Sequence, residues 1–275
     1  MANEKNPLIS INIPTFNSEK TIKLCIDSIK KQTYENYEIV LIDSNSKDKT
    51  VEIAKNLGCK IIIYDGKLLG ARYVGAIQSN GDYVLMIDSD QVLEPSTLQR
   101  CIDKAKEFDM LVLEEHCYRT DNWIEKLFEM DRKLIHNVKD FSPISGVMLP
   151  RFYKKELAIK AFEAIPEKIR FTVAGQDHAI IYFEAYKLSK KVSIISDAVK
   201  HIEPNTLRQI WKKFYRWGKT SRNLHKITHY KELLSKKERF RSGLFTKGMY
   251  KESFASIILL VLKGIPFKLG YYFGK

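Results

Sequence analysis

Several features that mark common protein classes are missing from this chain of 275 residues. Its four cysteines, at positions 25, 59, 101 and 117, show no C-x-x-C spacing, which argues against zinc and dithiol chemistry and indicates small buried side chains in a reducing compartment. The first residues, MANEKNPLIS, lack the apolar core of a secretory signal, so we expect a cytoplasmic protein. No tract of Gly, Pro or Ser marks a flexible linker. We therefore expect one compact domain with a tail.

Acidic residues are scarce in the last quarter of the chain. Residues 201–275 hold 17 Lys and Arg but only 4 Asp and Glu, whereas residues 1–200 hold 29 of each kind. The apolar segment SFASIILLVLKGIPFKLGYYFG is interrupted by Lys263 and Lys268, and its longest uncharged run is well short of the ~20 residues of a spanning helix. This pattern is typical of a helix lying on an anionic membrane surface. The alternative is a solvated basic helix that packs its apolar side on the rest of the chain. Nucleic-acid binding is not predicted, because no recognition-helix or RNP-like motif accompanies the charge.

Short apolar runs and amphipathic helical patterns alternate through the first hundred residues. This alternation predicts an α/β fold with a Rossmann-like, mainly parallel sheet flanked by helices. The predicted strands are LISINIP, YEIVLID, CKIIIYD and DYVLMID, followed by 110–115, 145–150 and 192–196. Ser18 and Ser46 are predicted to cap the first two helices, and Gly58 to end the second. Later helices are predicted at about 122–137, 153–164 and 177–189, with a helical tail from about 206 that breaks near Gly218, Gly243 and Pro266.

Each of the first four predicted strands ends at a polar side chain. These side chains are Thr15, Asp43, Asp65 and Asp88. Because ligands bind at the carboxyl ends of the strands in open α/β sheets, we expect the four to line one crevice. The alternative is that strand-end aspartates only cap the turns that follow them.

Two carboxylates, Asp88 and Asp90, stand where the fourth apolar run meets a polar loop. In an extended stretch residues i and i+2 point to the same side, so the pair can face one ligand. Converging carboxylates repel each other unless a cation lies near them, and a hard divalent ion bridged to phosphate oxygens meets that need. The D-x-D pattern at the end of a fourth βα strand therefore predicts a metal-assisted phosphate site.

The segments around this motif resemble family 2 glycosyltransferases, which are inverting enzymes of the GT-A fold. The resemblance is carried by PLISINIPTFNSEKTIKLCIDSIKKQTYENYEIVLIDSNSKDKT and GARYVGAIQSNGDYVLMIDSD, and it extends over roughly residues 7–205. It implies a nucleotide-sugar-dependent catalytic domain at 1–205, and the composition of the rest of the chain predicts a basic, partly apolar helical extension at 206–275. It also implies a nucleotide-diphosphate sugar as donor, with Mg²⁺ or Mn²⁺ as cofactor.

On the donor side, the resemblance implies a role for a set of residues before and within the D-x-D motif. Asp43 would accept a hydrogen bond from the base, although Ser44 stands where the family often has a second Asp. Asp88 would contact the ribose or the metal, and Asp90 the metal. The remaining nucleotide-sugar residues of this part of the chain are Pro14, Thr15, Asn17, Lys67, Arg72 and Ser89.

On the acceptor side, two later segments carry the resemblance. SGVMLPRFYKKEL is similar to a family segment that borders the acceptor and would place Ser145 and Gly146 near the sugar. GQDHAIIYF is similar to the segment that supplies the catalytic base, which would be Asp177. Gln176 replaces an acid there, so we expect the base to have a less raised pKa than in a carboxylate pair. The alternative role of Asp177 is a helix N-cap.

The segment VKHIEPNTLRQIWKKFYRWGK adds two candidates. His201 resembles a family position that can complete the metal or diphosphate site, although an isolated His in a turn is commonly just hydrogen-bonded. Arg216 is a candidate for covering the diphosphate, with Lys213 as the alternative. Gln209 lies too far upstream for the Q-x-x-R-W element of processive members, so no polymer product is inferred.

Two other functions are weighed against glycosyl transfer. A nucleotidyltransferase would open with a Gly-rich loop after the first strand, but PTFN stands there and no glycine precedes Gly58. An inactive nucleotide-sugar-binding module has no need to keep Asp88, Asp90 and Asp177. The sequence does not name the acceptor. A glycan or a polyprenyl-phosphate-linked acceptor at a membrane surface is the expectation that fits the tail.

Overall fold

The structure, a computed structural model, describes residues 6–137, 140–144, 148–221, 228–233 and 245–274. The strands are β1 Ile9–Thr15, β2 Tyr37–Asp43, β3 Lys60–Ile63, β4 Tyr83–Met86, β5 Gln91–Leu93, β6 Met110–Cys117, β7 Pro150–Lys154 and β8 Val192–His201. The helices are α1 Ile22–Lys30, α2 Thr50–Asn56, α3 Leu68–Ile77, α4 Thr97–Ala105, α5 Trp123–His136, α6 Lys155–Ala164, α7 Glu167–Thr172, α8 Asp177–Leu188, α9 Leu207–Ser221 and α10 Tyr250–Phe273. A 3-10 turn at Thr228–Tyr230 lies between the last two.

The strands form one mixed sheet in the order β3-β2-β1-β4-β7-β6-β8-β5. Neighbouring strands are parallel from β3 to β4 and between β6 and β8, whereas β7 is antiparallel to both of its neighbours and β5 is antiparallel to β8. The predicted α/β class and GT-A-like sheet are confirmed. The parallel part comes from the βα units that the sequence pattern predicted.

Helices cover both faces of the sheet. In β4 the side chain of Leu85 joins a core with α1 and α4, while Val84 and Met86 join a second core with α3, α6 and α8. Strands buried on both faces read as continuous apolar runs, which is why β1, β2 and β4 were predictable. The four cysteines are free and buried, as expected.

The predicted strand at 145–150 is wrong in position. Residues 145–147 lie outside the described part of the chain, and the strand runs over Pro150–Lys154, so α6 begins at Lys155 and not at 153. The sequence pattern was misleading because Arg151, inside this buried strand, is charged. Its charge is matched by ion pairs with Asp88 and Glu115.

Ser18 and Ser46 do not cap the first two helices. The α1 helix begins at Ile22, whose N–H donates to the Ser18 carbonyl, and α2 begins at Thr50, whose N–H donates to the Asp48 carboxylate. The hydroxyls of both serines are instead hydrogen-bonded at the crevice described below.

The predicted breaks at Gly218 and Pro266 are also wrong, and Gly243 lies outside the described residues. Gly218 is inside α9 and Pro266 is inside α10, which is continuous over 24 residues. Gly218 serves a close approach, because a Cβ built there would lie 1.9 Å from the carbonyl oxygen of Phe267 on α10. The two helices pack on α5 through a small apolar cluster consisting of Cys117, Ile124, Phe128, Ile210, Phe214 and Leu259. The predicted domain division at residue 205 remains a prediction.

Candidate active site

The loops after β1 and β2 form one side of a crevice at the carboxyl edge of the sheet. Thr15 and Asp43 are register partners on the parallel strands, and the Thr15 Oγ1 donates to Asp43 Oδ1 at 2.8 Å. Ser46 donates its backbone N–H to Asp43 Oδ2 at 2.8 Å and its hydroxyl to Oδ1 at 2.6 Å. The buried Asp43 carboxylate therefore fixes the β2 loop against the end of β1.

Asn17 joins the same two loops from the other direction. Its side-chain oxygen accepts the N–H of Lys47 at 2.8 Å, and its own N–H donates to the Ser46 hydroxyl at 2.8 Å. Asn17 has a φ of 51°, a left-handed conformation that Asn tolerates better than most residues. Pro14 is buried in β1 just before this loop. We call the segments 14–18 and 43–48 the loop side of the crevice.

Asp88 follows β4 and is held by two guanidinium groups. Its Oδ1 accepts from Arg72 Nη2 at 2.6 Å, and its Oδ2 accepts from Arg151 Nη1 at 3.0 Å. Burial raises the pKa of Asp88, but the charges of Arg151 and Arg72 lower it more, so this pKa lies well below its ordinary value. Both oxygens of Asp88 are thus already engaged by the protein.

Arg72 also reaches the predicted base. The Arg72 side chain on α3 is 1% exposed, and its Nε donates to Asp177 Oδ2, so one guanidinium bridges Asp177 and Asp88. Asp177 is the first residue of α8 and makes no N-cap hydrogen bond, since the capping position is held by Gln176 in a left-handed conformation. The structure therefore brings together three residues that the sequence placed in the site from separate motifs.

Asp90 points to a different group of side chains. Pairing of β5 with β8 places His201 opposite Gln91, and His201 Nε2 lies 3.5 Å from Asp90 Oδ1. Lys213, on α9, places its Nζ 3.8 Å from Asp90 Oδ2. Asp90 is the more open motif carboxylate toward cations, because no guanidinium group among the described residues holds its oxygens.

This arrangement decides which residues suit a divalent cation. A carboxylate oxygen and an imidazole nitrogen about 3.5 Å apart are compatible with one ion between them, and the Lys213 ammonium, at 3.8 Å from Asp90, is farther away than the arginines are from Asp88. Asp88 fits less well, because both of its oxygens accept hydrogen bonds from arginines. The geometry favours Asp90 and His201 as the ligands.

Further ion pairs continue inward from Asp88. Arg151 Nε donates to Glu115 Oε1 at 3.0 Å, and its Nη2 lies 3.0 Å from the same oxygen. Glu115 Oε2 accepts from Arg132 Nη1 at 2.5 Å. Arg132 also binds Glu203, which lies within 3.4 Å of His201 Nδ1. We call these linked residues the charge chain: Asp177, Arg72, Asp88, Arg151, Glu115, Arg132 and Glu203.

Opposite charges compensate for the burial of the charge chain. Burial raises the pKa of Glu203, but His201 and Arg132 lower it more, to about 2. The pKa of Glu115 is likewise lowered by Arg151 and Arg132 against the effect of burial. Sequence reasoning missed Arg151, Glu115, Arg132 and Glu203. The available signal was a charged residue inside an apolar strand, since such residues are rarely buried unless paired.

Several buried polar atoms beside the charge chain have no hydrogen-bond partner among the described residues. Among them are Arg72 Nη1, His178 Nδ1 and His201 Nδ1. His178 Nε2 lies 2.7 Å from Arg151 Nη1, and burial together with Arg72 and Arg151 holds the pKa of His178 well below its ordinary value. An unpaired buried donor is costly, so a ligand oxygen at Arg72 Nη1 would be stabilising.

The other predicted residues are less closely tied to this cluster. Ser89 donates its hydroxyl to Ser18 at 2.9 Å, next to the loop side. Lys67 immediately precedes α3 and is exposed, as is Asp65. Arg216 is exposed on α9, and it is Lys213, one turn earlier, that reaches Asp90. Ser145 and Gly146 lie outside the described residues.

A second acidic group lies elsewhere on β6 and β8. Glu114, His116 and Asp197 place potential metal-ligand atoms within 4.8 Å of one another. Asp197 is largely exposed, and its backbone N–H donates to Glu114 Oε2 at 3.0 Å. None of the three was predicted as a site residue.

Comparison with known proteins gives this site a family. Residues 10–162 match the family model described as "Glycosyl transferase family 2". A curated relative from Campylobacter jejuni, named GalNAc(5)-diNAcBac-PP-undecaprenol beta-1,3-glucosyltransferase, is 26% identical over an alignment of 295 positions that covers 94% of each chain. The chain spans only about one third to two thirds of the length of several other curated relatives.

Solved structures agree on the fold. S. aureus TarS 1-349 in complex with UDP-GlcNAc superimposes with a TM-score of 0.55 at 19% identity, covering 96% of this chain and 81% of that one. Glucosyl-3-phosphoglycerate synthase from Mycobacterium tuberculosis, in complex with Mn²⁺, UDP and phosphoglyceric acid, gives 0.56 at 19% identity and covers 86% and 81% of the two chains. At these identities the likeness shows the fold alone.

Proposed function

The chain belongs to glycosyl transferase family 2, and on that premise we propose that it transfers a sugar from a nucleotide-diphosphate donor to an acceptor with inversion at the anomeric carbon. The observation that carries the proposal is the bridge made by Arg72 between Asp177 and Asp88. This bridge places the candidate base, Asp177, next to the donor end of the crevice at Asp88. The acceptor and the donor of a displacement reaction could therefore both bind beside the Arg72 guanidinium.

On the donor side, the loop side would hold the nucleotide and the cationic groups would hold the diphosphate. Asp90 and His201 are the residues suited to hold Mg²⁺ or Mn²⁺, which would supply positive charge to the departing diphosphate. Arg72 Nη1 has no hydrogen-bond partner among the described residues, and the Lys213 ammonium lies 3.8 Å from Asp90 Oδ2. Charge stabilisation of this kind is commonly the largest contribution to catalysis.

On the acceptor side, Asp177 would act as the general base. An acceptor hydroxyl oxygen attacks the anomeric carbon, its proton passes to a carboxylate oxygen of Asp177, and the bond to the diphosphate breaks. A single displacement of this kind inverts the anomeric configuration. Asp177 Oδ2 is held by Arg72, which would orient the carboxylate. A positioned base contributes roughly 10²–10⁴-fold to the rate.

We further propose a lipid-linked acceptor at an anionic membrane, with the protein peripherally associated. The support is the name of the Campylobacter relative, which includes an undecaprenol-linked glycan, and the apolar helix α10 next to the basic α9. If the acceptor were a bare lipid phosphate, no hydroxyl would lose a proton and Asp177 would be dispensable.

The metal assignment is tested by calorimetry of nucleoside diphosphates with Mn²⁺. Asp90→Asn should abolish the Mn²⁺-dependent part of the affinity and leave the fold intact, whereas Asp65→Asn, at an exposed strand end, should not change it. Undiminished affinity in Asp90→Asn would show that Asp90 is not a ligand. A parallel thermal-shift screen of different nucleoside diphosphates would identify the base, since a bound ligand raises the unfolding midpoint.

The base assignment is tested by kinetics. Asp177→Asn should lower kcat about 100-fold or more with donor affinity nearly unchanged, because a base acts in the transition state. Equal loss of affinity and rate would indicate a structural role through Arg72. Absence of any transfer or donor hydrolysis by the wild-type protein with every nucleotide sugar would favour an inactive binding module.

A further inference from the structure

The last helix is apolar on the side that faces away from the protein. One side of α10 is buried against α5 and α9, as expected of a packed helix. Along the opposite side, exposed residues recur every three or four positions, and only one of them is charged. They are Tyr250, Phe254, Ile257, Val261, Ile265, Lys268 and Tyr272. Surface helices normally carry polar residues there, so this side calls for an apolar neighbour.

The neighbouring helix α9 carries a complementary stripe of charge. Four exposed basic residues recur at intervals of four, four and three residues, which places them on one side of the helix. They are Arg208, Lys212, Arg216 and Lys219. None of them is ion-paired with an acidic side chain in the parts of the chain that the structure describes. Leu207 and Trp211, which are about half exposed, adjoin this stripe.

The packing of α10 argues against its crossing a bilayer. By length and composition α10, with its 24 residues, could span a bilayer. However, its Ser256 hydroxyl donates to Asp131 on α5 at 2.6 Å, and a Cβ at Gly270 would lie only 2.0 Å from the Tyr215 carbonyl oxygen. Spanning would break these contacts and place Lys263 and Lys268 in hydrocarbon.

We propose that the outer sides of α9 and α10 form a docking face for an anionic lipid bilayer, with α10 lying in the plane of the interface. Apolar side chains on one helix and unpaired basic groups on the next match the acyl and headgroup layers of such a membrane. The proposal extends the function above by assigning the surface, and rests on it only for the lipid-linked acceptor. Because α9 also presents Lys213 to Asp90, docking holds the crevice beside the headgroups.

The electrostatic part is tested by co-sedimentation with vesicles of equal parts phosphatidylcholine and phosphatidylglycerol at low salt. Arg208→Gln, Lys212→Gln and Lys219→Gln together should weaken binding on the order of 100-fold, at roughly fivefold per charge. Arg216 is left intact because it is a candidate donor contact. The matched control removes three exposed lysines elsewhere, Lys55, Lys160 and Lys168, and should bind as the wild type does. Pure phosphatidylcholine should bind the wild type far more weakly.

The apolar part is tested at high salt, where screening removes most of the electrostatic attraction. Phe254→Ser with Val261→Ser should abolish the fraction that still pellets, whereas Ile63→Ser with Leu188→Ser, at similarly exposed positions, should not. Hydrolysis of a soluble nucleotide sugar should be unchanged in every docking variant. If the wild type binds vesicles but hydrolyses no nucleotide sugar, the catalytic proposal is wrong and the docking face is still supported.

Three results would overturn the docking face. The first is failure of the wild type to pellet with anionic vesicles at low salt. Light scattering could show a dimer that Val261→Glu dissociates, without vesicle binding, in which case a second copy covers α10. Resistance to extraction by alkaline carbonate would show that α10 spans the bilayer.

Discussion

The two sides of the crevice at Asp88 are built from different kinds of contact. On the loop side, Thr15, Asn17, Asp43 and Ser46 are joined by short hydrogen bonds between two adjacent loops. On the opposite side, the charge chain joins groups from helices and strands far apart in the sequence. On the loop side several donors share the Asp43 carboxylate, so the loss of one hydrogen bond leaves it partnered, whereas a buried charge that loses its partner is strongly destabilising. Substitutions on the loop side should therefore lower the free energy of unfolding less than substitutions in the charge chain do.

The largest expected effect is at Arg132. Arg132→Met keeps much of the side-chain volume but leaves the buried Glu203 without its guanidinium, so unfolding free energy should fall by about 3–5 kcal/mol. Chemical denaturation of the variant and the wild type measures this difference in the free energy of unfolding. Lys133→Met is the matched control, because Lys133 is half exposed and its 3.7 Å pair with Glu129 should contribute less than about 1 kcal/mol. An equal loss of unfolding free energy in both variants would show that the charge chain stabilises the fold no more than a surface ion pair does.

Low pH should destabilise the protein through the charge chain and the neighbouring His178. Asp88, Glu115 and Glu203 have lowered pKa values, so their stabilisation is fully present above their ordinary pKa values and is lost as pH falls through the lowered ones. The pKa of His178 is also lowered, so stability should begin to decrease below its ordinary value of 6.5, where only the unfolded chain takes up the proton.

Thermal unfolding from pH 8 to pH 3 measures this dependence. The midpoint should be flat near neutrality, decline below about 6.5 and fall more steeply below about 4.5, toward the pKa of Glu203 at about 2. Glu203→Gln should flatten the acid limb, whereas Glu52→Gln, at an exposed position on α2, should leave the shape of the curve unchanged. A Glu203→Gln curve parallel to that of the wild type would contradict the assignment.

The smallest effect is expected on the loop side. Thr15→Val removes the hydroxyl that donates to Asp43, but Ser46 still donates to the same oxygen, so the loss should be about 1 kcal/mol. Denaturation of Thr15→Val beside Thr120→Val separates the hydrogen bond from the change of residue type, because Thr120 is exposed and its hydroxyl has no hydrogen-bond partner among the described residues. A loss as large as that of Arg132→Met would erase the difference between the two sides.

The same distinction explains what the sequence predicted. Strands β1, β2 and β4 and the ends at Thr15, Asp43 and Asp88 follow from local periodicity, so the fold and loop side were accessible. Arg72 and Asp177 came from the family resemblance, but no spacing rule connects residues 105 positions apart. Arg132 and Glu203 are separated by 71 positions, and their pairing depends on how β6, α5 and β8 meet in space. The strand β7 was predicted at the wrong position because Arg151 places a charge within its apolar pattern.

The attachment of α10 to α5 has a consequence for synthesis on the ribosome. Asp131 meets Ser256 across 125 positions of the chain, and Phe128 is covered by Leu259. At a synthesis rate of about 5–20 residues per second, α10 would be completed roughly 6–25 s after α5. During that interval an apolar surface of α5 is available to chaperones or to other nascent chains. We therefore expect chains that stall between residues 137 and 250 to be the species most prone to aggregation.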